Sequence, residues 1–339
     1  MVTAPASAPL LDVKELVTRF STPHGEVTAL DRVSLSLAPG AALGLVGESG
    51  SGKSVTALSI ARLLHDPPAR VASGQVIFEG RDLLSLTERE MCAVRGDRLT
   101  MIFQEPMTSL NPVVRVGDQV GEPLVLHRGL SRKDARAQAV ELFKKVGIAD
   151  PERRVLSYPH ELSGGMRQRV MIAMAIACSP RLVIADEPTT ALDVTIQAQI
   201  LALLGTLRKE TGAALLLITH DLGVVAETCD EVVVLYAGQV VERAPVNVVF
   251  SAPRHPYTRG LLRSIPPFSL DDELATQPLT EIPGMVPRLH ELPTHCRFAA
   301  RCDRAQPRCV AEEPQLESTL AASPSDDPSR LVRCFYPVT

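Results

Sequence analysis

An eight-residue stretch near the start of the chain has the residue types and spacing of a phosphate-binding loop. GESGSGKS fits the pattern G-x-x-x-x-G-K-[ST], follows the apolar run AALGLV and precedes the apolar segment VTALSIARLL. The glycines let backbone N–H groups surround a phosphate, the lysine adds a positive charge, and the final serine can bind Mg²⁺. An ordinary glycine-rich turn is the alternative. The predicted nucleoside triphosphate site comprises Gly47, Glu48, Ser49, Gly50, Ser51, Gly52, Lys53 and Ser54.

A second stretch supplies the acidic residues that hydrolysis of a triphosphate requires. RLVIADEP ends a short apolar run with Asp186 and Glu187. A carboxylate at the end of a buried strand can hold Mg²⁺ through water, and an adjacent carboxylate can orient or deprotonate a hydrolytic water. We therefore predict that Asp186 binds the metal and that Glu187 acts on the water.

A third stretch has the features of another anion site. In LSGGMRQRVMIAMAIA, the residues Ser163, Gly164 and Gly165 open a segment of helical length. The hydroxyl, the free N–H groups and the helix dipole can together bind a phosphate. An N-capped core helix is the alternative. Because the first loop does not need this second surface, its presence indicates a nucleotide shared between two chains.

Four cysteines of the carboxyl-terminal tail form a possible ligand set. Cys296, Cys302, Cys309 and Cys334 are separated by five, six and twenty-four residues, which is neither a zinc-ribbon nor a common ferredoxin spacing. Spacing therefore leaves a [4Fe–4S] cluster, tetrahedral zinc and unliganded or disulfide-bonded cysteines all open. Three further cysteines are interpreted as packing residues: Cys92, Cys178 and Cys229.

The apolar pattern predicts the elements that position these residues. AALGLV, RLVIAD and AALLLIT are short continuous apolar runs, typical of parallel strands buried on both faces. SRKDARAQAVELFKKVGI places apolar residues on one helical face behind a cap at Ser131. The predicted fold class is therefore α/β, with a helical insertion at about 105–162.

Composition narrows the function classes. The chain of 339 residues has a formal net charge of −4 with interspersed charges, so we expect no nucleic acid partner. No signal peptide is visible, and the apolar runs fall short of the roughly 20 residues that cross a bilayer. The expectation is a soluble, cytoplasmic protein. Fourteen of the 27 prolines lie from Pro245 onward, which predicts an irregular tail ordered by something other than long helices and strands.

Taken together, these stretches resemble the motifs of the ABC ATPases, in that family's order and over nearly the whole chain. The resembling stretches are Gly47–Ser54 (Walker A), Gln104 (Q-loop), Leu162–Met166 (signature), Leu182–Glu187 (Walker B), Ala191–Asp193 (D-loop) and His220 (switch histidine). Met166 replaces the usual glutamine. The resemblance implies a P-loop NTPase of the ABC type, with a mostly parallel sheet core, an N-terminal antiparallel portion, a helical subdomain at about 105–162 and ATPase activity.

The same resemblance implies roles for individual residues. ATP and Mg²⁺ are the implied ligands, with Ser54, Gln104 and Asp186 at the metal. Glu187 would act on the attacking water with His220 and Gln104, although His220 alone would suggest a structural histidine. Phe20 falls where family members stack an aromatic ring on adenine, and a core phenylalanine is the equal alternative. Two ATPase domains would pack head to tail, with the signature motif of one covering the nucleotide of the other.

Three stretches resemble the oligopeptide/dipeptide importer ATPases in particular. They are QEPMTSLNP, HPYTRGLLRSIP and the tail segment IPGMVP with its cysteines. This branch, which includes nickel and glutathione transporters, implies a motor subunit at the cytoplasmic face of the membrane. Its implied partners are two permease subunits, an external solute-binding protein and a second, related ATPase. The branch is associated with an iron–sulfur cluster, which favours [4Fe–4S] over zinc for the four tail cysteines.

Two other classes compete with the importer motor. Soluble ABC proteins of translation or DNA repair carry two cassettes or long coiled coils, whereas Lys53 and Asp186 here are only 133 positions apart in a single cassette. A metal-sensing regulator would not need an intact Glu187 and His220.

We expect an ABC ATPase domain at residues 1–260 and a carboxyl-terminal extension with the cysteine cluster at 261–339. The transported solute is not predicted.

Overall fold

The computed structural model describes residues 8–23, 25–190, 192–264, 281–318, 327 and 329–338. Its strands are β1 (Leu11–Thr22), β2 (Gly25–Leu37), β3 (Ala42–Val46), β4 (Ala69–Phe78), β5 (Arg81–Asp82), β6 (Leu99–Ile102), β7 (Leu182–Asp186), β8 (Ala214–Thr219), β9 (Glu231–Tyr236), β10 (Gln239–Pro245), β11 (Glu317–Ser318) and β12 (Leu331–Val332). Its helices are α1 (Lys53–Ile60), α2 (Glu88–Val94), α3 (Pro106–Ser109), α4 (Val116–Arg128), α5 (Arg132–Lys145), α6 (Pro151–Arg154), α7 (Gly164–Ile176), α8 (Val194–Thr211), α9 (Leu222–Thr228), α10 (Val246–Ser251) and α11 (Pro256–Arg263).

The chain divides into two compact units, each built from several segments. The first unit comprises residues 1–11, 37–42 and 77–218, and the second comprises 12–36, 43–76 and 219–339. Gln104, Glu187 and the signature residues fall in the first unit, whereas His220 falls in the second. The phosphate loop and the cysteine tail fall in the second.

The sheet of the first unit is parallel and buried. β7 lies between β6 and β8, with Leu182 opposite Leu99 on one side and Ala214 on the other. Every residue of β7 and β8 is buried, which explains their uninterrupted apolar sequences. The predicted α/β class is confirmed, and Asp186 stands at the carboxyl end of β7.

The helical insertion of the first unit contains α3 to α6, and α4, α5 and α7 pack on one another. α5 begins after Ser131, whose side chain accepts a hydrogen bond from the backbone N–H of Asp134. Its buried face consists of Ala135, Ala139, Leu142 and Phe143. The predicted amphipathic helix is therefore confirmed, because its apolar stripe packs inward.

The second unit combines a mixed sheet with the amino-terminal strands. β3 pairs in parallel with β9, β10 runs antiparallel to β9, and β12 runs antiparallel to β10. A separate sheet has the order β2, β1, β4. Only two residues join β1 to β2, so these strands must run antiparallel, as predicted for the amino-terminal portion.

The tail is held by arginine hydrogen bonds more than by regular structure. The Arg330 guanidinium donates to the carbonyl oxygens of Val248 and Ala252 at 2.9 and 2.6 Å, and Arg333 Nε donates to that of Val240 at 2.9 Å. Both arginines are buried. Among the residues placed by the structure, no helix combines the length and apolarity needed to span a membrane.

Candidate functional site

The phosphate loop lies between β3 and α1, as its sequence predicts. Gly47 has a φ of 154°, and a Cβ added there would lie 2.2 Å from the carbonyl oxygen of Leu235. Gly52 has a φ of 106° and precedes the first residue of α1. These two positions require glycine because a side chain would collide with the backbone or be strained. Residue type thus fixes the curl of the loop.

Lys53 closes the loop on itself. Its Nζ donates to the carbonyl oxygens of Gly47 at 2.8 Å and Glu48 at 3.1 Å, and the side chain is buried. Ser49 and Gly50 are exposed, and nothing lies within 4 Å of the position of a Cβ on Gly50. The lysine ammonium and the exposed turn at Ser49 and Gly50 supply the positive charge and the accessible backbone that a triphosphate site requires.

The carboxylate of Glu187 is oriented by two side chains of the first unit. Glu187 Oε2 accepts from Gln104 Nε2 at 3.0 Å and from Thr190 Oγ1 at 2.9 Å. Its backbone has a φ of 45°, and its N–H donates to the carbonyl oxygen of Ile218 at 2.9 Å. The structure thus brings together Gln104 and Glu187, which were predicted to act together. The sequence analysis did not predict a role for Thr190, although this residue lies only three positions after Glu187.

Oxygen donors for Mg²⁺ stand in both units. Asp186 is buried at the end of β7 and Gln104 is exposed just after β6, whereas Ser54 is partly buried in the first turn of α1. Carboxylate, amide and hydroxyl oxygens are the ligand types that Mg²⁺ prefers. The chemistry of the predicted ligand set therefore fits this ion.

His220 and Phe20 both belong to the second unit. His220 is exposed in the turn between β8 and α9. The turn is fixed because the backbone N–H of Asp221 donates to Thr219 Oγ1 at 3.0 Å and Asp221 caps α9. Phe20 is half-buried near the end of β1. Their predicted contacts with the nucleotide stay predictions.

The signature stretch begins a helix with an exposed end. Ser163 is the N-cap of α7, and its Oγ accepts from the backbone N–H of Met166 at 3.3 Å. Ser163 and Gly164 are exposed, while a Cβ on Gly165 would lie 2.9 Å from Ile196 Cγ2. The alternative that Ser163 caps a helix is therefore confirmed. The exposed tip is also accessible to a ligand or a second chain. Ala191 of the D-loop lies outside the described residues.

All four tail cysteines line one cavity of the second unit, together with His255, Phe298 and neighbouring residues. They are free thiols, and the backbone N–H of Cys296 donates to the carbonyl oxygen of Cys309 at 3.2 Å. Burial raises the pKa of the Cys296 and Cys302 thiols and raises the pKa of Cys334 to about 12. Within the described ranges, no group of three or more His, Cys, Asp or Glu is arranged to hold a single metal ion.

Two residues of the second unit that sequence reasoning missed bind the phosphate loop. Arg301 forms an ion pair with Glu48, and the Tyr257 hydroxyl accepts from the backbone N–H of Glu48. Tyr257 belongs to the stretch HPYTRGLLRSIP, whose last two residues lie outside the described part of the chain. Arg301 gave no signal, because a single arginine between cysteines matches no motif.

Two family models match this chain. The model described as ABC transporter matches residues 30–190, and the model described as oligopeptide/dipeptide transporter, C-terminal region, matches residues 241–309. The second match covers α11 and three of the four tail cysteines. The boundary predicted between residues 260 and 261 lies inside the second match and stays a prediction.

Curated relatives are similar over nearly their full length. A protein of Brucella melitensis biotype 1 named as a peptide import ATP-binding protein is 54% identical over 317 residues, covering 91% of this chain and 94% of the relative. The oligopeptide transport ATP-binding protein AppD of Bacillus subtilis is 49% identical over 326 residues, covering 96% of each. Among solved structures, a dimeric ATP-binding cassette in a post-hydrolysis state with ADP and Pi matches with a TM-score of 0.63 at 29% identity, over 70% of this chain and 98% of the other.

Proposed function

The chain belongs to the oligopeptide/dipeptide branch of the ABC transporter ATP-binding subunits, and from this premise we propose that it is the ATP-hydrolysing motor of a peptide importer. The observation that carries the proposal is the Glu187 carboxylate, held by Gln104 and Thr190 at the end of the strand that bears Asp186. A carboxylate fixed in this way is positioned for general base catalysis. The same chain carries a glycine-lined lysine loop for the triphosphate.

We propose the following division of work at the nucleotide. The loop from Gly47 to Ser54 binds the phosphates through its N–H groups and Lys53, and Phe20 stacks on the adenine. Ser54, Gln104 and Asp186 would hold Mg²⁺, which would shield the phosphate charge and polarise the terminal phosphoryl group.

Hydrolysis would then depend on one proton transfer. Glu187 accepts a proton from the water that attacks the γ-phosphate, while the bond between that phosphate and ADP breaks. Gln104 and Thr190 keep the carboxylate from rotating away, since both donate to the same Oε2 atom. His220 contacts the terminal phosphate from the turn before α9.

The exposed tip of α7 supports a two-chain arrangement. Ser163, Gly164 and Gly165 of one ATPase would cover the ATP held by Lys53 of the other, and cleavage of the γ-phosphate would remove the contact that joins them. The second ATPase would be a related chain. Two permease subunits and an external solute-binding protein complete the proposed complex, and the motor works at the cytoplasmic face of the membrane.

We further propose that the four tail thiols hold a [4Fe–4S] cluster with a structural role. They line one cavity and none is engaged in a disulfide. Tetrahedral zinc, with all its sulfurs about 2.3 Å from one point, is the alternative. In a cluster each thiolate binds a different iron, so the sulfurs can stand further apart. Cluster binding would also require the buried thiols to lose their protons.

Anaerobic purification tests the cluster assignment. We expect brown protein with iron and sulfide near four each per chain, lost in Cys302→Ser. Cys92→Ser is the control and should keep the cluster, because Cys92 lies outside the tail and is exposed, contrary to the prediction that it is a packing residue. Colourless protein with one zinc per chain would overturn the assignment.

Peptide uptake tests the motor function. Cells lacking the gene should fail to take up labelled di- and oligopeptides, and the wild-type gene should restore uptake while Lys53→Ala should not. Uptake of a free labelled amino acid serves as the control and should be the same in all strains. Normal peptide uptake by cells carrying only Lys53→Ala would contradict the proposal.

A further inference from the structure

We propose that Arg301 of the tail and Tyr257 of α11 are positioning residues for the phosphate loop, acting through Glu48 to set the affinity for ATP. The inference rests on the phosphate-loop part of the proposed function and assigns the tail a role in it. All three residues belong to the second unit.

Arg301 binds Glu48 in a bidentate, mostly buried ion pair. Its Nη1 donates to Glu48 Oε2 at 2.7 Å and its Nη2 donates to Glu48 Oε1 at 2.9 Å. The Arg301 side chain is 5% exposed and that of Glu48 31%. Two parallel charge-assisted bonds fix both the position and the plane of the carboxylate. The bond to Glu48 raises the pKa of Arg301, so the guanidinium stays charged.

The Arg301 side chain is also held by groups other than Glu48. Its Nε donates to the carbonyl oxygen of Pro283 at 2.8 Å, and its guanidinium carbon lies 5.7 Å from the Tyr236 ring centre and 6.0 Å from that of Phe298. A charged group fixed by an aromatic wall loses little freedom when it binds its partner. Arg301 therefore acts as a preformed support for Glu48.

Three separate groups bind the residue at position 48. The Tyr257 hydroxyl accepts from its N–H at 2.8 Å, Lys53 Nζ donates to its carbonyl oxygen at 3.1 Å, and Arg301 binds its side chain. Tyr257 is fully buried, and burial raises the pKa of its phenol, which therefore stays a neutral hydroxyl. The peptide units on both sides of Glu48 are thus held by the tail, α11 and the loop lysine together.

The chemistry of phosphate binding does not explain a glutamate at this position. The loop pattern accepts any residue there, and a carboxylate beside a triphosphate would repel it. Pairing with Arg301 cancels that charge and converts the side chain into an anchor. Loss of Arg301 alone would therefore leave an unpaired negative charge in the loop, whereas loss of both charges would not.

Binding of MgATP to the full chain, measured by titration calorimetry on single and double variants, tests the inference. We expect Arg301→Met to weaken binding about 10-fold, the loss of one charge-assisted interaction. The double variant Glu48→Gln with Arg301→Met should recover only to about 3-fold below wild type, because the repulsion is gone while the support of the loop is still missing. Arg301→Lys, which keeps the charge without the two-pronged geometry, should fall between them.

Arg259→Met is the matched control. Arg259 is another arginine of the second unit in an ion pair, with Asp303 at 2.7 Å, and it has no bond to the loop. It should bind MgATP as wild type does. Arg301→Met binding as tightly as Arg259→Met, or a double variant that binds as tightly as wild type, would overturn the inference alone. A wild-type chain that binds no MgATP would overturn the proposed function and the inference with it.

Discussion

Replacement of Glu187 by glutamine should separate nucleotide binding from hydrolysis. Both hydrogen bonds from Gln104 and Thr190 end on Oε2, so the carbonyl oxygen of a glutamine can still accept them. The bonds weaken because the acceptor loses its charge, which we place at about 1 kcal/mol in total, or about 2–4 °C in the unfolding temperature. The base is removed altogether, and general base catalysis contributes about 10²–10⁴-fold. Turnover should therefore fall by that factor, which corresponds to about 3–5 kcal/mol in the barrier.

Phosphate release at saturating MgATP measures the turnover, and titration with a fluorescent ATP analogue measures binding. We expect Glu187→Gln to bind ATP within about 2-fold of wild type while its turnover collapses, because neither the loop nor Lys53 is changed. Glu141→Gln, an equivalent change on the exposed surface of α5, should leave both quantities unaltered. More than a tenth of wild-type turnover in Glu187→Gln would remove Glu187 from the role of base.

Three further predictions concern the second unit and the fold. Lys53→Ala should weaken ATP binding by about 10–100-fold, since it removes a charge-assisted bond to phosphate. Unchanged affinity in a nucleotide titration would refute the assignment of the phosphate loop. Gly47→Ala should lower the free energy of unfolding by about 2–3 kcal/mol, because its Cβ would lie 2.2 Å from the Leu235 carbonyl oxygen. Gly205→Ala in α8 is the control. Gly205 has open space around it, so this variant should not lower the unfolding temperature in a thermal melt. Burial lowers the pKa of His255 to about 3. Between about pH 6.5 and pH 3 this residue therefore takes up a proton only in the unfolded chain. The free energy of unfolding should fall by about 1.4 kcal/mol per pH unit over that range. Denaturant titrations at pH 7.5 and 5.5 should show this loss in wild type and little of it in His255→Asn.

The cassette was largely predictable because its signals are local. A phosphate loop needs its glycines at fixed spacing, a strand buried on both faces needs an unbroken apolar run, and the cap at Ser131 sits three residues before the N–H it binds. Each of these rules acts within a few residues. The strands β3, β7 and β8 and the helices α5 and α7 therefore follow from sequence alone.

The support of the loop by the tail was not predictable, because it joins residues far apart in the chain. Arg301 and Glu48 are separated by 253 positions, and either residue alone would be interpreted as an exposed charge. The tail was expected to be ordered by something other than long helices and strands. Buried arginines bound to backbone carbonyl oxygens supply part of that order, which a composition rich in proline does not reveal.

The pairing of β12 with β10 has a consequence for shortened forms of the protein. Arg243 stands opposite Leu331 in this ladder, and the backbone N–H of Val338 donates to the carbonyl oxygen of Arg254 at 2.7 Å. A stop codon or protease cut before residue 330 would remove β12 and leave β10 as an open sheet edge, which invites self-association. Cellular quality control would then meet an aggregating polypeptide in place of a smaller folded protein, so the segment around β12 protects the sheet of the second unit from self-association.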